Sequence, residues 1–281
     1  MDSVAEVGRR LGTTGYLCDD ALATVTYLAL TMNRPLLVEG EPGTGKTALA
    51  EAMAESLDLP LIRLQCYEGI DATQALYDWD FPRQILHLRA LEAAGGADVE
   101  EAEKSLYDAR FLLARPVLQA LQQTPAVLLV DEVDRADDEF EAFLLEVLST
   151  YQVSIPELGT VKAATPPIVV LTSNRTRELH DALKRRCLYH WIDYPSPERE
   201  AEIVRVRLPG VPDEIAERVC AAVARLRGEE LYKLPGVGET IDWARALLAL
   251  DEADLDSTLG VVLKVREDID AVRDGGVLQD V

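Results

Sequence analysis

Eight residues, Gly40 to Thr47 (GEPGTGKT), constrain this chain more than any other feature. They fill every fixed position of the pattern G-x-x-x-x-G-K-[ST]. Gly40, Gly43 and Gly45 let the backbone close around an anion, with amide N–H groups turned inward at a helix start whose dipole favours negative charge. Glu41, Pro42, Thr44 and Ala48 complete the loop and its exit. Lys46 supplies a point charge for β- and γ-phosphates, and the Thr47 hydroxyl can ligate Mg²⁺. The flanks agree: Leu36, Leu37 and Val38 read as a buried strand, and ALAEAMAESL after the loop consists of strong helix formers.

Further apolar runs at Leu61–Leu64, Ala126–Val130 and Ile168–Thr172 alternate with helical stretches, which predicts an α/β fold, a mainly parallel sheet covered by helices. Between the second and third runs, residues of about 67–123 exceed one crossover helix. Gly95-Gly96 and the acidic run Asp98 to Glu103 mark a helical insertion there. Val153 and Ile155 alternate before a Pro-Glu-Leu-Gly turn, so a β-hairpin is expected over about 152–162. Beyond Pro195-Ser196-Pro197 the periodicity is helical. The expected organisation is therefore an α/β core over 1–195 and a small all-α domain over 196–281.

A second motif, VLLVDEVDRAD (residues 127–137), runs four apolar residues into two adjacent carboxylates. Side chains alternate across a strand, so Asp131 and Glu132 serve different targets: Asp131 a hydrated Mg²⁺, Glu132 an attacking water as general base. A kinase needs no such base, and the pair points to hydrolysis. Asn174, ending LTSN, is placed to sense the γ-phosphate without carrying charge. In LKRRC (183–187), Arg186, with Arg185 as its rival, is a candidate cation delivered to a neighbouring subunit's γ-phosphate.

Acidic residues number 50 against 28 Lys and Arg, a net charge of −22, which repels nucleic acid and anionic membranes. Nucleic acid is not expected as a partner. The four cysteines are scattered without a C-x-x-C pair, as in a reducing, cytoplasmic compartment. MDSVAEVGRR lacks a following apolar segment and the apolar runs fall far short of about 18 residues, so neither export by a standard signal nor a membrane span is expected.

In this order the motifs resemble those of the AAA+ ATPases, across nearly the whole chain. Gly40–Thr47 is similar to Walker A, Val127–Glu132 to Walker B, Asn174 to sensor 1, Arg186 to the arginine finger with Arg185 second, and Arg245 in WARALLAL to sensor 2. The insertion, the hairpin and GYLCDDALATVTYLAL resemble the MoxR family, and LKRRCLYHWIDYPSPERE with GETIDWARAL its CoxD-like branch. That resemblance implies ATP and Mg²⁺ bound at the interfaces of a hexameric ring, a von Willebrand factor A domain partner, and a chaperone role in maturing a client metalloenzyme. An ATP-gated assembly scaffold is the alternative, and a nucleic-acid motor or clamp loader a more distant one.

Overall fold

The computed structural model describes residues 2–93, 99–250 and 254–279. The Gly95-Gly96 break and Asp98 lie outside the described residues. In chain order, α1 (Val4–Thr13) and α2 (Asp20–Met32) precede β1 (Leu36–Gly40), α3 (Lys46–Leu57) and β2 (Leu61–Gln65). A run of short elements follows: α4 (Ala72–Leu76), β3 (Tyr77–Trp79), α5 (Phe81–Ala93), α6 (Val99–Leu106), β4 (Leu112–Ala114) and α7 (Pro116–Gln122). Then come β5 (Val127–Asp131), α8 (Asp138–Thr150), β6 (Gln152–Ile155), β7 (Gly159–Lys162), β8 (Ile168–Ser173), α9 (Asp181–Arg186) and β9 (Leu188–Ile192). The remaining elements are α10 (Pro197–Arg207), α11 (Asp213–Arg227), α12 (Val237–Ala249), α13 (Leu259–Val262) and α14 (Arg266–Gly275).

These residues gather into two compact units. One comprises Met1–Ala23, Glu39–Ala52 and Trp191–Val281, the other Thr24–Val38 and Met53–His190. The second unit carries the sheet, with strand order β2-β5-β8-β1-β9. β2 pairs with β5, and β5 with β8, in parallel. β1 and β5 are buried at every position, as strands covered on both faces must be. Their continuous apolar runs are what the sequence displays. β9, LYHWI, is half-buried along an edge and carries polar residues between its apolar ones, so it offers no such run. The same is true of β3 and β4, three residues each, which form an antiparallel ribbon inside the long connection. β6 and β7 form a second antiparallel pair, from Gln152↔Lys162 to Ile155↔Gly159.

In the first unit, α10 to α14 close around Ala201, Val204, Val219, Val223, Leu226, Trp243, Leu259 and Val262. Trp243 is fully buried and its indole Nε1 donates to Thr258 Oγ1 at 2.7 Å. Glu200, also fully buried, takes two hydrogen bonds from Arg227 (2.6 and 2.9 Å) and one from Thr240 Oγ1 (2.6 Å). Its lone pairs are thus well filled, the condition under which a buried ion pair is tolerated.

Candidate functional site

β1 ends at Gly40, where the glycine loop begins, and that loop belongs to the first unit. Gly43 and Gly45 sit at φ +79° and +92°, the left-handed region that glycine enters at no steric cost. A Cβ on Gly43 would lie 2.7 Å from Gly236 Cα, so this position has room for hydrogen only. The loop carbonyls are engaged by donors from the loop and its neighbours. Tyr194 Oη donates to Pro42 O (3.1 Å) and Val237 N–H to Gly43 O (2.9 Å), while the buried Lys46 Nζ donates to Gly40 O (2.9 Å) and Glu41 O (2.7 Å). Thr44 Oγ1 also donates to Glu41 O. α3 starts directly after the loop, and Leu49 N–H on its first turn donates to Gly45 O (3.2 Å). Thr47 and Ala48 stand half-buried on that first turn.

In the same unit, a cavity of about 680 Å³ is lined by Gly12 to Gly15, by Val206, Arg207 and Pro209, and by Gly238, Ile241, Asp242 and Arg245. Arg245 pairs with Asp242 at 2.9 Å and is largely exposed. It is the first turn of α12, Gly236 to Glu239, that meets the loop. Six residues further along a helix rising about 1.5 Å per residue, Arg245 lines the cavity. Burial pushes the Tyr16 phenol, next to the cavity-lining Gly15, well above its ordinary value.

In the second unit, the carboxyl ends of parallel strands collect the acidic residues. The register sets Gln65 opposite Asp131. Asp131 is buried, its Oδ1 accepting from Thr172 Oγ1 (2.5 Å) and its Oδ2 from Arg63 Nη2 (2.6 Å). Glu132 lies at φ +54°, a conformation that costs a non-glycine residue about 1 kcal/mol and recurs at functional sites. Its N–H donates to Thr172 Oγ1 (2.9 Å), and its Oε2 accepts from Gln65 Nε2 (3.2 Å) and Arg135 Nη1 (3.0 Å). Asp134 Oδ2 takes both the N–H and the hydroxyl of Thr176, which ties the turn after β5 to the loop after β8 where Asn174 stands half-buried. Burial, then the charges of Asp131, Asp134 and Glu132, pushes the Cys66 thiol up to about 12.

α9 presents the cationic triplet. Lys184 pairs with Glu178, and upstream Arg177 pairs with Glu141 and Asp138. Arg185 and Arg186 are exposed and their side chains enter no ion pair or hydrogen bond among the described residues.

A family model for the AAA domain of the dynein-related subfamily matches residues 35–187. The chain belongs to this AAA family. Among its relatives, uncharacterized protein SH1500 of Staphylococcus haemolyticus is 22% identical over 89% of this chain and 89% of its own length. Nuclear valosin-containing protein-like of Mus musculus is 24% identical over 71% of this chain and 18% of its own. Among solved structures, the Thermotoga maritima RuvB Holliday junction branch migration motor is 18% identical with a TM-score of 0.48, covering 86% of this chain. This chain spans 66% of that motor's length.

For an AAA domain, the motif residues were legible one by one, whereas their supports were not. Arg63, Gln65, Arg135 and Thr172 hold Asp131 and Glu132; Tyr194, Gly236 and Val237 hold the loop. The single sequence hint is the polar residue ending β2, at the same strand end as Asp131. No group of three or more His, Cys, Asp or Glu among the described residues is arranged to hold a metal. The residues present fit Mg²⁺ bound mainly through water and phosphate, which needs only one or two protein oxygens. No helix among the described residues is long and apolar enough to cross a membrane.

Proposed function

We propose that the chain is a Mg²⁺-dependent ATPase that works as a ring of subunits, a MoxR-type chaperone of the CoxD-like branch. The observation that carries this reading is the glycine loop: a buried Lys46 ammonium drawn to the Gly40 and Glu41 carbonyls, two glycines at positive φ and the start of α3 directly after them, a cradle suited to a polyphosphate. Gly40 to Ala48 bind the phosphates, and the cavity in the same unit, with Arg207 and Arg245 on its wall, takes the base and sugar. Mg²⁺ would be held by Thr47 and Asp131 and would supply charge neutralisation to phosphate oxygens. Glu132 accepts the proton of the attacking water, Asn174 orients that water by a neutral hydrogen bond, and Arg186 or Arg185 serves the site of a neighbouring copy.

The helices from Ser196 onward act as a lid over the core of residues 1–195. The hydrogen bond from Val237 N–H to Gly43 O supports a link between nucleotide state and lid position. A von Willebrand factor A domain partner and a client metalloenzyme, with a cytoplasmic site of action, complete the reading. A second reading, an ATP-gated scaffold, is favoured by one observation: Glu132 Oε2 is bonded to both Gln65 and Arg135, an arrangement that withholds the base.

Steady-state ATP turnover measured against protein concentration tests both. The ATPase reading expects turnover per subunit to rise with concentration, to vanish in Glu132→Gln, and nucleotide binding itself to vanish in Lys46→Ala. Undiminished turnover in Glu132→Gln overturns it, and full client maturation by Glu132→Gln favours the scaffold. A set of purified von Willebrand factor A domain proteins that leaves turnover unchanged removes the MoxR-type part.

A further inference from the structure

α9 carries the two exposed arginines on a helix of six residues, too short to hold a direction by its own hydrogen bonds. Its two ends are therefore the place to look for what fixes it. At the start, His180 N–H donates to Oε2 of the buried Glu141 on α8 (2.9 Å), and Leu183 packs into the core. At the other end stands Arg34, from the turn between α2 and β1. Its Nε donates to Arg186 O (3.1 Å), and its Nη2 to Arg185 O (2.7 Å) and Cys187 O (3.2 Å). One guanidinium thus spans three consecutive carbonyls. Among the described residues it pairs with no carboxylate, although the chain has 50 of them.

The turn that offers Arg34 is itself fixed. Asn33 lies at φ +51°, its carbonyl accepts from Tyr151 Oη (3.3 Å), and Arg34 N–H closes back on Ala29 O (3.1 Å). Immediately after it, Pro35 O accepts Leu188 N–H at 2.8 Å, so the same short segment anchors the start of β9. The last carbonyls of a helix attract cations, and Lys or Arg in the final turn commonly fold back onto them. Arg34 takes that place on the carbonyls of residues 185–187, while the Arg185 and Arg186 side chains are exposed.

We infer that Arg34 is a positioning residue for the arginine that completes a neighbouring copy's nucleotide site. The inference rests on the reading of Arg186 or Arg185 as a group acting in trans. It requires Arg34 to matter for the neighbour's turnover and not for the nucleotide affinity of its own subunit.

Subunit complementation separates these effects. Full-length chains carrying two different tags are co-expressed and purified through both, so that every assembly is mixed, and ATP turnover is followed by phosphate release. Glu132→Gln has no base of its own but intact arginines; Arg34→Ala has an intact base but a loosened α9. Alone, Arg34→Ala is expected to turn over ATP about 10- to 100-fold more slowly, the scale of loss for a reacting group displaced by about 1 Å. Its affinity for a fluorescent ATP analogue is expected to be unchanged. Mixed with Glu132→Gln, it is expected to regain turnover several-fold above the sum of the two alone, and Arg34→Lys to fall between Arg34→Ala and the parent. A residue needed merely for folding of its own subunit would gain nothing from the mixture.

Parallel mixtures of Glu132→Gln with Arg185→Ala and with Arg186→Ala test the underlying reading. If neither is complemented, the action in trans fails, and the role of Arg34 with it. If one is complemented while Arg34→Ala is not, or if Arg34→Ala keeps parental turnover, the trans reading stands and the inference about Arg34 is overturned. Should circular dichroism show Arg34→Ala unfolded, Arg34→Lys and Arg34→Gln carry the same comparison.

Discussion

At the scale of single residues, Asp131 bears the most consequential contact. Its Oδ2 is taken by the Arg63 guanidinium at 2.6 Å, and Arg63 is half exposed while Asp131 is buried. A cation already on the carboxylate competes with one that must reach it through water. Arg63→Ala is therefore expected to lower the Mg²⁺ concentration for half-maximal turnover by a few-fold. It is also expected to destabilise the fold by about 1–3 kcal/mol, since the buried carboxylate loses a charged hydrogen bond. A Mg²⁺ titration and urea unfolding check the two effects; an unchanged Mg²⁺ requirement refutes the competition. Lys46, Asp131 and Glu132 were legible because each occupies a fixed place in a short motif. Arg63 was not, because it meets Asp131 across 68 positions of sequence and through a strand register that no local pattern encodes.

Among elements, α12 meets the glycine loop at close range. A Cβ on Gly236 would stand 2.6 Å from Gly43 Cα, and the loop cannot retreat without giving up the Val237 hydrogen bond. Gly236→Ala is expected to cost about 1–3 kcal/mol, the usual penalty of overpacking, and to weaken ATP binding in parallel. Thermal melts with and without ATP measure both, and a variant with parental melting and the parental ATP-induced shift contradicts the contact. The central strands and α3 could be read directly, since burial on both faces writes itself as an unbroken apolar run. β9 could not: its residues alternate in character at a sheet edge, and its placement depends on Pro35 O accepting Leu188 N–H. The β3–β4 ribbon is three residues a side and has no periodicity to detect.

The molecule as a whole carries its cysteines as neutral thiols. Burial pushes Cys66, Cys187 and Cys220 each up to about 12, against an ordinary thiol near about 8.5 in an unfolded chain. The folded state therefore binds more protons than the unfolded one above the lower value. Its stability is complete below about pH 8.5 and falls as pH rises toward the folded pKa. Half-buried Tyr16, whose phenol is also raised, adds in the same direction. The urea midpoint is expected to decline from pH 7.5 to pH 10, and to decline less in Cys66→Ala combined with Cys187→Ala; equal slopes would exclude the thiols as the cause. Trp243 offers a way to watch this without labels. Of the three tryptophans it alone is shut away from solvent, with its indole nitrogen bonded to Thr258, whereas Trp79 and Trp191 are half-buried. Emission that survives an aqueous quencher such as iodide therefore reports the C-terminal helices, and the quenchable fraction reports the other two places, so one cuvette follows two regions of the chain at once.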